Sequence, residues 1–212
     1  AKKSIKKVQF PLVVKPLDGN HGRGVTVGVS DLEHFSLAFD AAKSQSRNGQ
    51  VIVERTLEGN DYRVLVINGK MVAAAHRVPA HVIGNGKDTL QELLDRENEN
   101  PLRGYGHENV LTEITVDHQT ERLIENAGYT LDSVLPEGEV LILKSTANLS
   151  TGGTAVDITD EVHPANVHIA ERAIQLIGLD IGGVDIIAPD LTTPINENGG
   201  GIVEINAAPG FR

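Results

Sequence analysis

The sequence predicts a mixed α+β fold whose strands pair antiparallel. Three observations carry that expectation. Asn68-Gly69 lies between two apolar, β-branched runs and is the strongest short hairpin signal a chain can offer. A second pair of strands flanks a glycine-rich loop. The strands also fail to alternate one for one with helices, so a doubly wound dinucleotide fold is disfavoured.

The elements follow in order. Phe10–Lys15 is a strand that Pro16 terminates. The loop Gly19-Asn20-His21-Gly22-Arg23-Gly24 leads into a second strand, Val25–Val29, and the two form a hairpin. A helix starts near Asp31, with Leu32, Phe35, Ala38, Phe39 and Ala42 at helical spacing. Val51–Glu54 is the next strand and Leu57–Asn60 a turn. Asp61–Ile67 and Lys70–Val78 flank the Asn68-Gly69 turn. Asp88–Asn98 and Asp117–Ala127 read as short helices in a polar, loop-rich insert. Val140–Lys144 is a strand running into the turn Asn148–Thr154. Pro164–Ile177 is an amphipathic helix with proline in its first turn. Strands Val184–Ile187 and Ile202–Asn206, joined through the loop 196–201, close the chain.

Composition narrows the function classes. The 212 residues suit one large domain or two small subdomains, and the 19 basic against 29 acidic residues give a net charge of -10. That balance argues against nonspecific nucleic-acid binding, which rests on cationic contacts to phosphate. Aromatics are 3% with no Trp, so base-stacking platforms are not expected either. With no Cys, disulfides, thiolate zinc sites and a cysteine nucleophile are excluded. No apolar run approaches the ~20 residues that span a bilayer, and the basic start lacks the apolar run of a secretory signal. A cytoplasmic setting, with no nucleic acid and no membrane as partner, is the expectation. The chain starts at Ala1 and stops after a polar strand, so it reads as a piece of a larger protein.

Two features carry chemistry. Gly22 and Gly24 let backbone N–H groups converge on an anion, although the same glycines suit a plain hairpin tip. The loop is neither a Walker motif, since no Gly-Lys-Ser/Thr follows it, nor a Rossmann fingerprint, since Val27 stands where a third glycine belongs. The nearby lysine precedes the loop, at Lys15. On the last two strands, Glu204 and Asn206 share one face by the period of two, and Asp185 lies in a strand expected to pair with theirs. Three oxygen donors without His or Cys suit Mg²⁺, and an acid inside an apolar strand is costly unless paired or ligated. Together the loop and the acids suggest a nucleotide whose phosphates are bridged by magnesium. A third, weaker signal is the hinge from Glu54 through Arg55 and Leu57 to Asp61, where backbone could hold a purine and an acid a ribose.

The spacing of Lys15, the glycine loop, the Glu54–Asp61 hinge, Asp185 and Glu204-x-Asn206 resembles the ATP-grasp ligases. The stretches VVKPLDGNHGRGV, NPLRGYGHENVLT, STANLSTGGTAVD and VEINAAPGFR resemble, more narrowly, the ATP-grasp domains of the cyanophycin synthetase family. The resemblance runs from Phe10 to Arg212. It implies an ATP-grasp fold of two α+β subdomains with antiparallel sheets clasping ATP, truncated at both ends. A lid-type subdomain would occupy 1–56 and a core subdomain 57–212, with an insert at about 79–139. It implies Lys15 on the phosphates, with Asn20, His21, Gly22 and Gly24 in a lid above them. It further implies Glu54, Arg55 and Leu57 around adenine, Asp61 on ribose, and Asp185, Glu204 and Asn206 on two Mg²⁺ ions.

The implied reaction is carboxylate activation. The terminal carboxylate of a growing aspartate chain takes the γ-phosphoryl group of ATP, and the amine of aspartate then displaces phosphate. A Mur-ligase-like domain adds arginine to each aspartate side chain in the full enzyme. Arg63, Arg103 and Arg212 are candidates to grip the anionic acceptor, because a guanidinium holds carboxylate or phosphate oxygens bidentately. Asn148 and the Ser150–Thr154 turn are candidates to line its site. Tyr62 stands where the pattern has His, and Lys144 where it has Arg, which puts acceptor handling in question. An N-terminal domain and the arginine-adding domain are missing partners, and the full-length parent is expected to be a homo-oligomer. The chain alone is therefore expected to be weakly active or inactive. A glutathione-type or glutamate ligase of the same fold, and a catalytically silent ATP-binding module, are the alternatives.

Overall fold

The computed structural model describes residues 10–18, 23–106, 109–207 and 209–210. Residues 1–57 and 58–212 form two compact units.

In the first unit a three-stranded antiparallel sheet, in the order β2-β1-β3, carries one helix. Its strands are β1 (Leu12–Pro16), β2 (Thr26–Val29) and β3 (Val51–Arg55), and the helix is α1 (Leu32–Gln45). Alternation in β1 buries Leu12, Val14 and Pro16 and turns Val13 and Lys15 to the other face. Leu12, Val14 and Val29 meet Phe35, Ala38 and Ala42 of α1, which recur at helical spacing as the sequence suggests. Asp31 caps α1 by accepting from the N–H groups of Glu33 and His34. Pro16 is the last strand residue rather than the breaker beyond it, since a strand end tolerates the missing donor.

The second unit is built on a five-stranded antiparallel sheet in the order β10-β5-β4-β11-β12. Here β4 is Asn60–Ile67 and β5 is Lys70–Val78, joined by Asn68-Gly69 with positive φ at both residues, the geometry of a primed hairpin turn. The outer strands are β10 (Thr154–Asp157), β11 (Ile181–Ala188) and β12 (Gly201–Asn206). Between β5 and β10 the chain builds β6 (His81–Ile83), α2 (Leu90–Asn98), β7 (Arg103–Gly104), β8 (Leu111–Thr112), α3 (His118–Asn126) and β9 (Val140–Ile142). This insert is more ordered than its polar composition suggests. Leu90, Leu93, Leu94, Ile114, Ile124, Leu135, Leu141 and Leu143 form a core of their own, and β6 pairs antiparallel with β9.

Helix α4 (Pro164–Ile177) covers one face of the large sheet, packing Ala170 and Ile174 on Val64, Val66, Val184 and Ile186. His163 caps it, its Nδ1 accepting from Ala165 N–H, and Gly178 at φ 79° ends it. The fully buried Asn166 ties α4 to the loop after β11 by donating to Leu191 and Thr193 carbonyls and accepting from Ile195 N–H. No helix among the described residues is long and apolar enough to cross a membrane.

Candidate active site

Strand alternation divides the large sheet into an apolar face under α4 and a polar face opposite. On the polar face the register aligns a rank of side chains: Asp157 of β10 beside Ala75 of β5, then Arg63 of β4, Asp185 of β11 and Glu204 of β12. The next rank places Ala155 beside Arg77 and Arg77 beside Asp61.

These ranks form a connected charge network. Arg63 grips Asp185 with both prongs, Nε to Oδ1 and Nη2 to Oδ2, each at 2.8 Å. Arg77, whose side chain is 7% exposed, donates from Nε to Asp61 Oδ1 at 2.8 Å and lies 3.1 Å from Asp185 Oδ2. Asn206 donates to Asp185 Oδ2 at 3.3 Å. Burial pushes the Asp61 carboxyl above its usual value in spite of Arg77, whereas the hydrogen bond to Asp185 raises Arg63 above the ordinary guanidinium value. Such fork-to-fork pairing makes the burial of Asp185 tolerable.

The structure thus brings Asp185, Glu204 and Asn206 together, as the period of two predicts. Their donor set fits magnesium in kind. It offers hard oxygens without imidazole or thiolate, and Glu204 is exposed at the rim. The three acids Asp61, Asp185 and Glu204 also outnumber the two arginines Arg63 and Arg77. Asp185 Oδ2 is crowded by three donors, while Oδ1 accepts from Arg63 Nε at 2.8 Å.

Alongside lies a groove of about 510 Å³, lined by Arg63, Arg77, Leu149, Asp157 and Gly210 over a floor of small residues, Ala73, Ala75 and Ala155. Leu149 opens the short 3-10 turn Leu149–Thr151, which Asn148 begins. The Asn148 carbonyl accepts from Thr151 and Gly153 N–H groups, and its side chain is exposed. Gly153 cannot be replaced without cost, since a Cβ would stand 2.8 Å from the Val78 carbonyl oxygen.

In the first unit Lys15 and Glu54 share the face turned away from α1 and form an ion pair of 2.6 Å. Gly24 holds φ 72° beside Gln45 of α1. Arg55 ends β3, and Leu57 follows it. Asn20, His21, Gly22 and Arg212 lie outside the described residues.

Three expectations are corrected. Arg103 does not present a free guanidinium to an anion: its side chain is 3% exposed, and Nη1 donates to the Thr112 and Gly152 carbonyls at 2.9 Å. It ties the insert to the Asn148–Gly153 turn. Tyr62 lies on the opposite face from Arg63, under α4, with its ring 5.1 Å from that of His76. Lys144 is buried in the insert, where Nζ donates to Asp117 at 2.7 Å and holds that carboxyl down at about 2. Neither Tyr62 nor Lys144 lines the groove.

Arg77 and Asp157 line this groove, and the sequence reading misses both. Counting back from the Asn68-Gly69 turn pairs Ile67 with Lys70 and would set Asp61 against His76. A bulge at Leu65/Val66 adds one residue, Val72, and brings Arg77 opposite Asp61 instead. No sequence signal announces that bulge. Asp157 hides because β10 follows a glycine turn and is only four residues long.

The fold defines the class: it is the ATP-grasp fold. A family model for the RimK-like ATP-grasp domain matches residues 1–85. Within that class the sequence is similar, over nearly its whole length, to the cyanophycin synthetases. That of Geminocystis herdmanii is 54% identical over 203 residues, which are 96% of this chain and 23% of that protein. The glutathione biosynthesis bifunctional protein GshAB of Clostridium perfringens is 33% identical over 200 residues, 93% of this chain and 25% of that one. The crystal structure of a bifunctional glutathione synthetase from Pasteurella multocida superposes with a TM-score of 0.68 at 32% identity, covering 98% of this chain and 29% of its own. The chain spans about a quarter of the length of the curated relatives it matches.

Proposed function

We propose that this chain is the ATP-using ligase domain of an enzyme that extends a poly-aspartate backbone, with arginine added to the aspartate side chains elsewhere in the parent protein. The observation that carries the proposal is the polar rank Arg63–Asp185–Glu204 beside an arginine-lined groove, in a sequence 53–56% identical to cyanophycin synthetases. In the proposed reaction an acceptor carboxylate attacks the γ-phosphorus of ATP, the bond to the β-phosphate oxygen breaks, and ADP leaves. The amine of aspartate then attacks the acyl-phosphate carbon, loses its proton, and inorganic phosphate departs.

Both reactants of the first step are anions, so cationic groups must screen their approach. Lys15 is proposed to meet the phosphates, with Glu54 fixing its ammonium. Arg63 and Arg77 are proposed to supply positive charge beside the acceptor carboxylate and the transferring group. The backbone around Arg55 and Leu57 is proposed for adenine, Asp61 for ribose hydroxyls, and Asn148 for the acceptor. Magnesium, expected as two ions held by Asp185, Glu204 and Asn206, supplies charge neutralisation at the transferring phosphoryl group when bound.

The test is ADP release by the full-length parent with aspartate, arginine and a β-Asp-Arg primer, each omitted in turn. Dependence on aspartate and primer is expected, and Glu204→Gln should slow release about 100-fold or more. Release that follows glutamate or cysteine and ignores aspartate would assign the domain to the glutathione type, which the resemblance to glutathione synthetases keeps as the second reading.

A further inference from the structure

The groove on the polar face carries charge at both ends. Arg63 of β4 stands at one end of the rank and Asp157 of β10 at the other, with Ala75 of β5 between them. Arg77 lies in the next rank beside Ala155, and Leu65, Ala73 and Leu149 also line the groove. Asp157 and Arg63 sit in the same rank two strands apart, a backbone separation of about 10 Å at ~4.8 Å per strand. Asp157 is also pre-oriented: its Oδ1 accepts from Thr159 Oγ1 at 2.6 Å and from Thr159 N–H at 2.9 Å. Those bonds hold its carboxyl below the usual value, so it is ionised at neutral pH. A ligand matched to this groove is an anion at one end and a cation roughly a groove's width away.

We propose that Asp157 is a specificity residue that binds the guanidinium of an arginine side chain on the acceptor, while the carboxylate to be activated lies at the Arg63 end of the groove. The inference rests on the acceptor assigned above and names which part of it the groove reads. In a β-Asp-Arg unit ten bonds separate the aspartate α-carboxylate carbon from the guanidinium carbon, about 12 Å when extended at ~1.2 Å per bond. That reach exceeds the two-strand backbone separation, so such a unit is long enough to cross the rank from Arg63 past Ala75 to Asp157. A planar guanidinium pairs with a carboxylate through two parallel N–H···O bonds, so an ammonium or a neutral urea should be a poorer fit.

The experiment compares β-Asp-Arg and β-Asp-citrulline primers in ADP release by the full-length parent, wild type and Asp157→Asn. The asparagine keeps an oxygen for Thr159 and removes the charge. Losing one charge-assisted hydrogen bond corresponds to about a tenfold rise in KM for the arginine primer, with kcat unchanged. The citrulline primer should be about as poor with wild type as the arginine primer is with the variant, and the variant should not worsen it further. Equal use of the two primers by wild type overturns the inference, as does a variant that loses the same factor with both. If neither primer supports release while a glutamate- or cysteine-containing acceptor does, the ligase assignment falls first and takes the inference with it.

Discussion

Arg77 shows how much of this site depends on single side chains. Its guanidinium is almost wholly buried and serves Asp61 and Asp185 together. Replacing it with Met leaves Asp61 half-buried without its partner, while Asp185 keeps Arg63. The expected loss is about 2–3 kcal/mol, less than the 3–5 of a fully buried pair because Asp61 retains some solvent. Urea unfolding should show a lower midpoint at constant slope for Arg77→Met, and Asp61→Asn added to it should restore at least half the difference. Glu204 and Asn206 were legible together because a period of two needs only local spacing, and Asp185 joined them through the expected pairing of the last two strands. Arg77 was not, since its partner is set by a bulge that residue types do not encode.

Elements were legible where a short-range signal starts or stops them. Asp31 before an apolar helical stripe, Pro164 opening α4 and Asn68-Gly69 between strands each act within a few residues, and all three hold. The strands β6, β7, β8 and β10 have two to four residues each and no such signal, so pairing partners far along the chain decide them. Helix α3 yields a prediction at this scale. In the folded protein Lys144 lowers the Asp117 carboxyl from 3.8 to about 2 while Asp117 caps the helix. A carboxyl held low in the fold stabilises above its unfolded value, and that contribution is lost as pH falls from about 4 towards about 2. Lys144→Met should therefore be less stable than wild type at neutral pH, with the gap in unfolding midpoint narrowing across that acid window. Asp117 is more than half exposed, so the gap is modest.

For the molecule, the sequence carried the fold class because hairpin signals and helix stripes are repeated along it. It did not carry the insert's separate core, which depends on which apolar residues meet in space. Ile124 belongs to the insert's core and Ile174 to the core beneath the large sheet. Ile124→Val and Ile174→Val should each cost about 1 kcal/mol, and the double variant should cost their sum within about 0.5 kcal/mol. Denaturant unfolding of the three proteins checks this. A double variant that is markedly less or more damaging than the sum would show that the cores are coupled.

The fork between Arg63 and Asp185 has one more consequence, for biogenesis. A carboxylate in a sheet interior without a counter-charge would ordinarily hold folding back until one arrived. Here a resident guanidinium acts as stand-in counter-charge. With that charge answered from within the sheet, the domain can fold without any bound ion to neutralise Asp185.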